Sequence, residues 1–153
     1  MNDIAFAISL HLIAVVIWIG GVGLVTTVLM PSIRRQYAPE ARLAAFLLIE
    51  QRFVWQARVA VLVAGASGFW MLQRLQLWSA FALPQYWWLP AMVGLWAIFA
   101  AMLFIVEPLY LHRHLAETAD PANAFSRMER LHRILFALSL LVIGGAAAGS
   151  HGL

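Results

Sequence analysis

The sequence predicts an all-α, polytopic membrane protein: one domain of four transmembrane helices in a bundle. Three observations predict it. Of 153 residues, 63% are hydrophobic and only 11% charged, against roughly 45–50% and about 25% in soluble domains. Mean hydropathy is +0.83. The apolar residues gather in four stretches, 4–30, 53–72, 87–111 and 134–149. Most reach the ~20 residues that carry a helix across ~30 Å of hydrocarbon; the last is short. Helix is the state open to them, because four isolated spans cannot close a barrel.

The first span begins without a basic n-region, is too long for a signal peptide and lacks a small-residue cleavage site, so it is expected to stay in the membrane. Pro31 follows it and predicts its end. Pro39-Glu40 opens a helix through "ARLAAFLLIEQRFVW". Leu43, Phe46, Leu47 and Glu50 keep helical spacing there, so this part is expected to lie along the interface before turning into the second span. "LPQYWWLP" sets Tyr86, Trp87 and Trp88 as an aromatic belt at the mouth of the third span. Asp120-Pro121 reads as an N-cap with proline at N1, starting a helix that runs through "NAFSRMERLHR" into the fourth span.

All ten basic residues are arginines, and they are unevenly placed. Arg34, Arg35, Arg42, Arg52 and Arg58 flank the first connection. Arg113, Arg127, Arg130 and Arg133 lie in the third, and Arg74 alone falls on the other side. The positive-inside rule puts loops 31–52 and 112–133 in the cytoplasm and both termini outside, in a membrane of the bacterial inner type. No basic run with interleaved aromatics points to nucleic acid. Zero cysteines exclude disulfides, thiolate metal sites, iron–sulfur clusters and covalently attached haem. No nucleotide-binding loop, serine triad or zinc-protease helix is present. Glycines in the first, second and fourth spans let backbones approach closely, as in helix packing or a homodimer, and a few can make room for a flat ligand.

Few polar groups lie at membrane depth. Arg58 and Glu107 fall at similar depth and predict an ion pair; alternatively Arg52 or Arg58 binds a cofactor carboxylate such as a haem propionate. His112 and His114 read as solvated loop residues. His11 sits two turns inside the first span, where hydrocarbon offers an imidazole no partner. It is either a neutral histidine bonded to a backbone carbonyl, an axial haem ligand, a copper ligand or part of a proton relay. For haem, Met92 on the third span enters from the same side and is the candidate opposite ligand, with Trp18 one face-repeat from His11. His151 is on that side but shallower. His132 lies at the far end of the fourth span and would form a separate site. Copper suits His11, Met92 and His151, yet the six methionines are scattered.

Several segments resemble the copper-resistance protein D superfamily, which includes the HemJ-type protoporphyrinogen oxidases. "LHLIAVVIWIGGV" resembles their first helix, "IEQRF" the entry to their second and "WWLPAMVGLW" the start of their third. "FSRMERLHRILFALSLLVIGGAAAGSHG" is similar to the last helix of members of the wider superfamily. The resemblance implies haem b, with His11 as an axial ligand. The family's third helix carries a lysine in a W-x-x-x-K pattern, considered the opposite ligand. The same spacing from Trp88 reaches Met92, and this chain has no lysine. Either methionine replaces lysine and raises the potential, or the second ligand lies elsewhere, or the site is lost. The expected function is one-electron redox chemistry at the membrane on a porphyrinogen or quinol-like reductant. The alternatives are a copper-binding or copper-transporting protein and a cofactor-free membrane subunit.

Overall fold

The structure is a computed structural model that describes residues 2–115 and 119–150. All regular structure among them is helical: α1 (Asn2–Leu24), α2 (Met30–Gln36), α3 (Arg42–Arg74), α4 (Trp88–Ala101) and α5 (Pro121–Ser150), with π-helical segments at Val25–Leu29 and Met102–Leu115 and short 3-10 turns between. Four continuous helical runs, Asp3–Gln36, Pro39–Arg74, Trp88–Leu109 and Pro121–Gly149, are long and apolar enough to cross a membrane. That is the make-up of a multi-pass membrane protein. Large apolar side chains such as Phe6, Val16, Leu48, Trp55 and Leu141 stand on the outside, a surface that suits lipid rather than water.

Helix α1 packs along α3, α4 lies against α5, and α3 touches both α4 and α5. The middle of the core is built from Trp18, Ile19, Val61, Ala64, Leu95, Phe99 and Val142. Near the start of α1 and end of α3, hereafter the N-terminal end, Leu72, Ala80 and Leu89 close it. At the opposite end Met30, Ile33, Leu43, Phe46 and Phe125 do so. Small residues seat rings from neighbouring helices: Trp96 lies on Gly65, Trp87 on Gly145, Trp88 on Gly149 and Phe53 on Gly21. This is the close-approach role expected of glycine in helix packing.

Two boundaries differ from expectation, and each has a local cause. Pro31 does not end the first helix. The chain widens into the π register at Val25–Leu29, where the Met30 N–H bonds the Val25 carbonyl five residues back, and then continues as α2. A π turn accommodates the proline ring, which would clash in an α register. The Thr26 and Thr27 hydroxyls donate to the Val22 and Gly23 carbonyls at 2.6 and 2.7 Å, so neither hydroxyl is left unpaired in apolar surroundings. Second, the stretch before residue 53 does not turn along an interface. It is the first part of α3, an unbroken helix of 33 residues about 50 Å long. Asp120 does cap α5, its Oδ1 accepting the Asn123 N–H at 3.0 Å.

Candidate functional site

Between α1, α3 and α4, in the half nearer the N-terminal end, lies a cavity of about 430 Å³ with a few residues of α5 on its wall. Its size falls within the ~300–1,000 Å³ usual for cofactor and drug-sized ligands. His11, Trp18 and Met92 all line it; among the described residues no charged side chain is on the wall. The spacing of α1 explains the first two. Residues 11 and 18 are two turns apart and share a face.

Helix α3 holds the His11 ring. Nδ1 donates to the Ala64 carbonyl at 2.9 Å and approaches the Ser67 hydroxyl oxygen at 3.2 Å. A carbonyl only accepts, so Nδ1 carries the proton. The Ser67 hydroxyl spends its own hydrogen on the Val63 carbonyl at 2.6 Å, leaving its oxygen to accept from Nδ1. A Cβ on Gly68 would lie 3.2 Å from the imidazole Cε1, so glycine provides the space in which the ring sits. Nε2 is thereby fixed as the unprotonated nitrogen, and it bonds no group among the described residues. A lone pair presented this way, with the other nitrogen tied to a carbonyl, is the usual state of a metal-binding histidine.

Two residues that line the cavity each bury an unpaired polar atom inside the protein, that of Trp88 against Gly149. The indole N–H groups of Trp18 and Trp88 are buried and have no hydrogen-bond partner, although Trp96 donates to the Val61 carbonyl at 2.9 Å. Buried donors without acceptors are costly, about 1–3 kcal/mol each.

The remaining candidates lie elsewhere. Arg58 donates through Nε to the Leu103 carbonyl at 3.1 Å and through Nη2 to Glu107, the expected ion pair; it is not on the cavity wall. Arg52 is exposed on α3. His132 donates from Nδ1 to the Met128 carbonyl at 3.0 Å and meets Phe46 edge-on. Phe46 precedes Gly68 by 22 residues on α3, about 33 Å along the helix, so His132 and His11 serve different ends. His151 lies outside the described residues. Reading the sequence missed Ala64, Ser67 and Gly68 as the seat of His11. The "AGASG" run containing them signals close packing but not which helix fills it.

Among the described residues no group of three or more His, Asp or Glu side chains is placed to hold a metal ion. The donor set fits haem better than a bare ion, because a porphyrin supplies four nitrogens and asks the protein for one or two. The chain matches no protein-family model, no curated protein and no solved structure.

Proposed function

We propose that this chain is an integral membrane protein holding b-type haem within a bundle of four spans, and that it carries one-electron redox chemistry. The supporting observation is His11: its Nδ1 proton is committed to the Ala64 carbonyl, which leaves Nε2 as the unprotonated nitrogen of a ring that lines an apolar cavity. Met92, on the same wall, would supply a second protein ligand. Bound haem supplies an iron centre that passes single electrons. The protein's part is to bind it, exclude water and set its potential. The apolar wall keeps water out. Ala64 and Ser67 hold the imidazole in one tautomer and raise its basicity. Thioether ligation by Met92 would raise the potential relative to a nitrogen ligand.

The arginine asymmetry orients this reading, with loops 31–52 and 112–133 cytoplasmic in a bacterial-type inner membrane. The cavity then opens in the outer half, within reach of a lipophilic reductant such as a quinol or porphyrinogen.

A second reading has its own observation. The His11–Ala64 bond also ties α1 to α3, the most extensive helix pair, so His11 can serve as a clamp in a cofactor-free subunit. Copper binding by His11 and Met92 is the third. Purified protein, expressed with ample porphyrin precursor, separates them. A Soret band with reduced-minus-oxidised α and β bands supports haem. Stoichiometric copper without a Soret band supports copper. A colourless, metal-free and stable protein supports the clamp.

A further inference from the structure

Among the described residues the cavity wall has no cation, yet haem b carries propionate groups. An unpaired carboxylate in hydrocarbon is strongly disfavoured. The propionates therefore need a cation at the cavity's mouth. Neither arginine assigned that role from sequence reaches it: Arg58 is held by Glu107 and the Leu103 carbonyl, and Arg52 is exposed on the part of α3 nearer its start.

One arginine lies just beyond the wall residues at the N-terminal end. Arg74 ends α3, three residues beyond Met71 and two beyond Leu72, both on the cavity wall. It follows Gly68, the seat of His11, by six residues, an axial rise of about 9 Å. Its guanidinium bonds a single oxygen, Asp3 Oδ2, from Nε at 3.2 Å and Nη2 at 2.8 Å, and the side chain is 53% exposed. A guanidinium has five N–H donors, so Asp3 occupies only part of it.

We propose that Arg74 is the anchor for the carboxylate edge of the porphyrin, and that Asp3 is the partner holding its guanidinium in place over the mouth. This rests on the haem reading above. Arg74 then orients the macrocycle, carboxylates toward the interface and apolar edge toward Trp18, without touching the iron. Asp3, itself an anion, opposes propionate approach even as it positions the arginine.

The test titrates haem and its propionate dimethyl ester into the detergent-purified full chain, following the Soret band for wild type, Arg74→Gln and Asp3→Asn. Wild type is expected to prefer haem over the ester. Arg74→Gln should weaken haem binding about tenfold while leaving ester binding unchanged. Asp3→Asn should bind haem at least as tightly as wild type. If the pair is only a latch between α1 and α3, both variants weaken haem and ester alike, and the proposal is overturned. It is also overturned if Arg74→Gln binds haem like wild type. A wild-type protein that develops no Soret band defeats the haem reading itself, a result distinct from either of these.

Discussion

The Arg58 guanidinium donates to the Leu103 carbonyl at 3.1 Å, and Pro108 is the reason that carbonyl is available. In the π register of Met102–Leu115 each carbonyl awaits the N–H five residues on. For Leu103 that residue is Pro108, which has none. Arg58 thus fills a vacancy in the α4 extension while pairing with Glu107, and its guanidinium lies 5.9 Å from the Phe104 ring centroid.

Arg58→Ala should therefore destabilise the protein by about 2 kcal/mol, the scale of a lost charged hydrogen bond. Pro108→Ala restores an N–H and should reduce that penalty. A double-mutant cycle followed by thermal unfolding in detergent is expected to show a coupling of roughly 1 kcal/mol. Strict additivity would mean that Arg58 serves Glu107 alone.

At the end of the molecule away from the His11 cavity, Glu129 is 2% exposed and binds both Arg34 and Arg133. It joins α2 to α5. Glu129→Ala should lower stability by about 2 kcal/mol, less than for a fully buried pair because both arginines reach solvent. Occupancy of the His11 site should be unchanged, since the two lie at opposite ends. A loss of cofactor without a fall in melting temperature would contradict this separation.

Ser67 accepts the second branch of the His11 Nδ1–H bond. Ser67→Ala leaves Ala64 as the only acceptor, so the imidazole donates less electron density to a bound metal. Haem affinity should fall by up to about tenfold, the lower end for outer-shell partners. The reduction potential should rise, because the oxidised iron loses more support than the reduced form. Redox titration of the variant checks the sign, and a lowered potential would count against the assignment.

Gly68 makes the space for the imidazole, a Cβ lying 3.2 Å from its Cε1. Gly68→Val should displace the ring and lower haem affinity by roughly tenfold or more, overpacking costing about 1–3 kcal/mol. Gly68→Ala should have a smaller effect. The Soret absorbance per polypeptide gives the comparison, and equal occupancy in all three proteins would mean that the ring's seat does not matter.

Much of the architecture was readable from the chain because its signals are local. Span length, the Asp120-Pro121 start of α5 and the common depth of Arg58 and Glu107 all follow from counting along helices. Pro31 misled because a proline signals a stop only where an α register must be kept; here the π turn at Val25–Leu29 carries the helix past it. The bend expected before residue 53 is absent because nothing within α3 interrupts its hydrogen bonds. His11, Trp18 and Met92 were each visible as unusual or well-placed residues. Their meeting on one cavity depends on how α1, α3 and α4 are rotated against each other, and no single-helix period encodes that. The same holds for Ala64 and Ser67. A backbone carbonyl has no sequence signature, and a serine inside an apolar helix reads as self-satisfied until a ring is found beside it.

The most direct measurement is the reduced-minus-oxidised visible spectrum of the purified wild type beside His11→Ala and Met92→Leu. The account predicts a Soret band near one haem per chain in wild type, its loss in His11→Ala with the helical circular dichroism retained, and a shifted potential with the band kept in Met92→Leu. A His11→Ala protein that holds haem with an unaltered spectrum would contradict it.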